Sequence, residues 1–99
     1  MIIVMNISFP TESAKKMGES FINAPPLPEF LTRRGPYISS TNAEGVKSLS
    51  IFELEPKNLA DGMTAVSDYA ASFFGVPGFA YEVKVNFDVQ EALKMIGLG

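Results

Sequence analysis

Between Phe79 and Phe87 the chain alternates without a break. Phe79, Tyr81, Val83, Val85 and Phe87 share one phase, and Ala80, Glu82, Lys84 and Asn86 the other. Successive side chains of a strand point to opposite faces, so this segment is a strand with one covered face and one facing water or a partner. Antiparallel sheets carry that pattern, whereas parallel sheets are buried on both sides. With 99 residues in all, the chain has room for one two-layered domain. The other segments must then supply the neighbouring strands and the helices that cover them.

Met1–Phe9 reads as a first strand. Its odd positions Ile3, Met5, Ile7 and Phe9 are apolar, and its even positions run from Ile2 and Val4 to Asn6 and Ser8. Pro10–Asn23 reads as a helix, with Ala14, Met17, Gly18, Phe21 and Ile22 at amphipathic spacing. Pro25-Pro26 ends it. The connection Pro25–Pro36 holds four of the seven prolines, and a short helix is expected over Pro28–Arg34, stopped by Gly35. Tyr37–Thr41 and Val46–Leu54 read as strands two and three, joined by a tight turn at Asn42–Gly45. Leu49 and Ile51 oppose Val46, Phe52 and Leu54, so strand three is apolar on both faces. A second long helix is expected over Pro56–Phe74, with Leu59, Met63, Val66, Ala70 and Phe73 inward, widened by Tyr69 and Phe74. Gly75 suits the helix end, and Val76-Pro77-Gly78 has the order of a type II turn. After the fourth strand, Asp88-Val89-Gln90-Glu91 has the spacing of a capping box, starting a short helix with Ala92, Leu93 and Ile96 that ends at Gly97.

The order β-α-β-β-α-β plus a short C-terminal helix is that of an α+β, ferredoxin-like domain spanning residues 1–99. A four-stranded antiparallel sheet with two helices on one face is expected. With the odd residues of strands one and four turned to the helices, the other face carries Ile2, Val4, Asn6, Ser8, Ala80, Glu82, Lys84 and Asn86. It is apolar at one end and polar at the other, and it needs a cover.

Composition removes several function classes. The chain has no cysteine, histidine or tryptophan. Disulfides, thiolate nucleophiles, zinc fingers and histidine general bases are therefore excluded. The net charge is −3, which disfavours nucleic-acid backbones, and the sheet lacks an aromatic RNA-stacking motif. There is no polybasic segment for an anionic membrane. The apolar run Met1–Phe9 is too short to span a bilayer and lacks the flanks of an export signal, so a cytoplasmic location is expected.

The element order, the length and the segments Arg33-Arg34-Gly35-Pro36-Tyr37 and Gly75-Val76-Pro77-Gly78-Phe79 resemble small bacterial proteins of the dimeric α+β barrel superfamily, in particular an uncharacterised family within it. The resemblance implies a homodimer paired sheet to sheet, with a lumen that holds a small, often aromatic, ligand. Some members are monooxygenases or isomerases. Haem-degrading members use a histidine ligand, which this chain does not have, so neither cofactor nor metal is expected.

Six residues are candidates for ligand binding: Arg33, Arg34, Tyr37, Glu82, Lys84 and Asn6. Arg33 and Arg34 are the only arginines, and a guanidinium fork takes carboxylate or phosphate bidentately. The plainer role is one arginine in solvent and the other capping a helix end. Glu82 and Lys84 lie two apart on one strand face and, with Asn6, Ser8 and Asn86, would line a lumen; their plainer role is an exposed ion pair. Tyr37 opens strand two beside the arginines, while Tyr81 is expected in the core. Three functions follow: a homodimer binding a small aromatic or acidic organic molecule between its sheets, a cofactorless isomerase or monooxygenase using Glu82 as base, or a stand-alone small-molecule-sensing regulatory module. No residue is assigned a catalytic role.

Overall fold

The computed structural model describes residues 1–99. Its elements are β1 (Ile2–Phe9), α1 (Ala14–Ile22), β2 (Thr32–Thr41), β3 (Gly45–Glu53), α2 (Leu59–Ala71), β4 (Ala80–Asn86) and α3 (Val89–Met95). Short 3-10 turns, Thr11–Ser13 and Pro56–Asn58, lead into α1 and α2. All strand pairs are antiparallel in the order β2-β3-β1-β4. β3 therefore lies between β1 and β2, and β1 between β3 and β4, so each β-α-β unit is split by a strand of the other. This small α+β arrangement fits a ferredoxin-like fold. No helix is long and apolar enough to cross a membrane.

The helix-side layer forms where the alternation requires it. Ile3, Met5, Ile7 and Phe9 of β1 are buried, together with Phe52 of β3, Leu54 just beyond it, and Val66, Tyr69 and Ala70 of α2. Phe73 and Val76 extend this core past the end of α2. Phase and packing agree here because one β-strand face and one helical stripe meet. The Val76-Pro77-Gly78 turn closes with Phe79 N–H donating to Val76 O at 3.1 Å. Gly78 sits at φ +76°, where a Cβ would come within 2.5 Å of Pro10 Cδ. Ser13 Oγ donates to Pro77 O at 2.6 Å and ties this turn to the start of α1.

α1 is seated more loosely than α2. Of its expected inward stripe only Met17 is buried, while Phe21 is 45% and Ile22 81% exposed. Ala14 and Gly18 are too small to fill the gap, and a Cβ added at Gly18 would meet nothing within 4 Å.

Three expectations are corrected. First, Pro28–Arg34 is not a helix. The chain is irregular up to Leu31, and β2 begins at Thr32, with Arg33 opposite Phe52 and Arg34 opposite Ile51. The register slips between Arg34 and Tyr37. There Gly35 stands at φ +94° with no room for a Cβ, which would lie 2.7 Å from Leu49 O. Gly35-Pro36 is thus a bulge inside a strand and not a helix stop. Second, Tyr81 is on the helix side but 46% exposed. β4 is an edge strand, and the ring stacks on Phe79 with centroids 5.6 Å apart instead of lying under α2. Third, Phe74 does not widen the buried stripe of the second helix: it is exposed, its ring 5.5 Å from that of Tyr81 and 6.0 Å from that of Phe79. α2 ends before Phe74, and α3 buries none of its residues.

Candidate functional site

The strand registers place the six candidate residues. On the face without helices, Glu82, Asn6, Leu49 and Tyr37 form one cross-strand row, and Lys84, Val4, Ile51 and Arg34 form the next. Asn6 and Glu82 are neighbours, with Lys84 beside them. Tyr37 and Arg34 stand on the far edge strand, three strand spacings or roughly 14 Å away. Arg33 is on the opposite face. Adjacent strand residues point to opposite sides, so the two arginines cannot clamp one anion.

The charges on the uncovered face are matched within the chain. Lys84 Nζ lies 3.3 Å from Glu82 Oε1, Lys47 Nζ lies 3.5 Å from Glu44 Oε1, and Arg34 is paired with Glu53. All these groups are at least about two-fifths exposed, so each pair adds only about 0–1 kcal/mol. Beside them Asn6, Ser8, Lys47, Ala80 and Glu82 line a shallow hollow of about 340 Å³. A wider one, about 600 Å³, lies at the other end of the sheet near Thr32, Glu53, Glu55 and Asp88. Its carboxylates already have partners: Arg34 for Glu53, Lys57 for Glu55, and the Glu91 backbone N–H for Asp88.

The strongest chemical contrast is on the helix side. Arg33 reaches under α1 into the gap left by Ala14 and Gly18. Its Nη1 donates to Tyr69 Oη and its Nη2 to Ser50 Oγ, each at 3.1 Å. The guanidinium carbon lies 5.1 Å from the centroid of the Tyr69 ring, 5.5 Å from that of Phe52 and 5.9 Å from that of Phe21. Nε is buried without a partner, and no carboxylate pairs with Arg33. The space in front is a cleft of about 260 Å³, walled mainly by Met5, Ile7, Met17, Phe21, Ile38 and Phe73.

Residue type and the place beside Arg34, just before Gly35, make Arg33 a candidate in the sequence; its aromatic surroundings and its partners Ser50 and Tyr69 leave no signal there. Across the β2 bulge the inward phase switches, so Arg33 and Ile38 both face the helix layer although they are five residues apart. A strictly two-residue period hides that relation.

No family model matches the chain, and no curated protein matches it. Among solved structures, a tripeptidase from Staphylococcus aureus subsp. aureus Mu50 is similar with a TM-score of 0.44 and 12% sequence identity, covering 99% of this chain and 35% of that one. The chain thus spans about a third of the tripeptidase's length.

Proposed function

We propose that the protein works as a homodimer, two copies paired through their uncovered sheet faces, with a small aromatic or acidic organic ligand held between them. The observation that carries this reading is the uncovered face itself. Its middle presents Val4, Ile51 and Leu49, and its rim consists of ion pairs already closed within one chain. An apolar centre with a polar rim is the anatomy of a protein interface. The chain exposes 6295 Å², roughly 800 Å² more than the ~5,500 Å² expected for a monomer of its mass. That excess is about one partner's share of a standard interface. The hollow at Asn6, Ser8 and Glu82 lies beside the apolar centre, so a second copy seated there would roof it. A roofed hollow excludes water and gives Asn6 and Lys47 the role of donors to a bound polar group.

Sedimentation velocity tests the pairing. The wild-type protein is expected to sediment as a dimer at about 10 μM, and Ile51→Lys as a monomer with unchanged far-UV circular dichroism, because a buried unpaired ammonium opposes association. A wild-type monomer at that concentration overturns the reading.

A further inference from the structure

We propose that the cleft between α1 and the sheet is a binding site for a small monocarboxylic acid with an apolar body, whose carboxylate docks on Arg33. This site lies on the face opposite the proposed dimer contact and does not depend on it. A guanidinium offers five N–H donors. Two of them, one on each Nη, go to Tyr69 and Ser50. The Nε hydrogen is buried and bonded to nothing. The aromatic rings around it attract the cation but accept no directed hydrogen bond in place of an anion. Desolvating a charge without a counter-ion is unfavourable, and every other ion pair of the chain leaves Arg33 out. Tyr69 and Ser50 take one hydrogen from each Nη, and the second hydrogen on each Nη is left for an anion of planar, two-oxygen geometry, which a guanidinium takes in two parallel bonds.

The walls specify the rest of the molecule. Apart from Arg33, the polar residues lining the cleft are Ser48 and Tyr69. The Tyr69 hydroxyl accepts from Arg33 and keeps its own proton for a second acceptor. One cation and two hydroxyls suit a single carboxylate, whereas a dianionic phosphate would be left without a second cation. The remaining walls are methionine, aromatic and aliphatic, and so suit a ring or an alkyl chain. At ~30 Å³ per water-sized unit, the 260 Å³ of the cleft holds roughly nine heavy atoms, the size of benzoate. Half-exposed Phe21 stands at the rim, on the loosely seated end of α1.

The test is a heteronuclear NMR titration of the full chain with benzoate, with benzamide as its neutral isostere and with inorganic phosphate. Saturable shifts are expected for benzoate at the amides of Met17, Gly18, Phe21 and Tyr69, at concentrations up to about 10 mM. Binding of benzamide and phosphate should be at least about 10-fold weaker, the difference that charge-assisted bonds and apolar burial provide. Arg33→Met should abolish the preference for benzoate over benzamide. In case that variant folds poorly, Gly18→Leu fills the cleft from the helix side while leaving Arg33 in place, and it should abolish benzoate binding with the circular dichroism retained. No saturable benzoate binding, equal binding of benzamide, or equal binding of phosphate overturns the proposal. So do shifts confined to Asn6, Lys47 and Glu82, which would instead place the acid at the uncovered face.

Discussion

Two glycines show how far the consequence of one methyl group depends on its surroundings. Gly18 lies within α1, and a Cβ there meets no atom within 4 Å. Alanine is the better helix former by about 1 kcal/mol, so Gly18→Ala is expected to stabilise the protein by roughly 0.5–1 kcal/mol. That corresponds to a thermal midpoint some ~2–8 °C higher for a domain of this size. Gly78 is the reverse case. Its φ of +76° disfavours any side chain, and the new Cβ would face the rigid ring of Pro10 at 2.5 Å. Gly78→Ala is expected to destabilise by about 1–3 kcal/mol. Urea melts of both variants check the pair. A destabilised Gly18→Ala would mean that α1 packs against the sheet more closely than its open gap indicates.

At the scale of elements, α3 stands apart because its first turn is held by a capping box and by the Met1 ammonium, 3.0 Å from Glu91 Oε1, rather than by burial. Glu91 N–H donates to Asp88 Oδ1 at 2.8 Å, and Asp88 N–H donates to Glu91 Oε1 at 3.0 Å. The helix has seven residues, none of them buried, and isolated helices shorter than about 12 residues are marginal in water. Asp88→Ala, which removes about 1 kcal/mol of capping, should therefore speed amide exchange across Ala92–Met95 several-fold while leaving the global melting midpoint unchanged. A fall in the global midpoint equal to the full cap energy would show that α3 folds as one unit with the core. The cap was readable from Asp88 and Glu91 because it is a local device, complete within four residues. The odd phase of β1, the stripe of α2 and the Val76-Pro77-Gly78 turn were readable for the same reason: local geometry decides them. β2 was not, because its bulge at Gly35-Pro36 joins two half-strands of opposite phase, and pairing with β3 rather than any local pattern makes them one strand. The exposure of Tyr81 was equally hidden, since phase tells which face a residue takes but not whether a helix extends over it. The Arg33 cleft needs both of these long-range facts, the strand register and the incomplete seating of α1.

The whole molecule is a slab of 48 × 29 × 17 Å with a radius of gyration of 15.1 Å, against ~13 Å for a compact domain of this length. Its thinness is that of one helix layer on one sheet, which are packed about 10 Å apart. Such a slab buries β1 and β3 from one side only, so Val4, Leu49 and Ile51 contribute little to the stability of a lone chain. If pairing of two slabs covers them, folding and association are one equilibrium, and stability becomes a function of concentration. For a dimer that unfolds to two chains, a tenfold increase in protein concentration adds about 1.4 kcal/mol per dimer. With an unfolding entropy of ~2.1 cal/mol/K per residue over two chains, the thermal midpoint should rise by about 3 °C for each tenfold step. Ile51→Lys should remove that dependence and lower the midpoint at high concentration, because it places an ammonium in the middle of the joint face. Differential scanning fluorimetry over a hundredfold concentration range separates the two cases. A wild-type midpoint that does not move with concentration would mean that the second face of this sheet is stable in water and that the slab works alone.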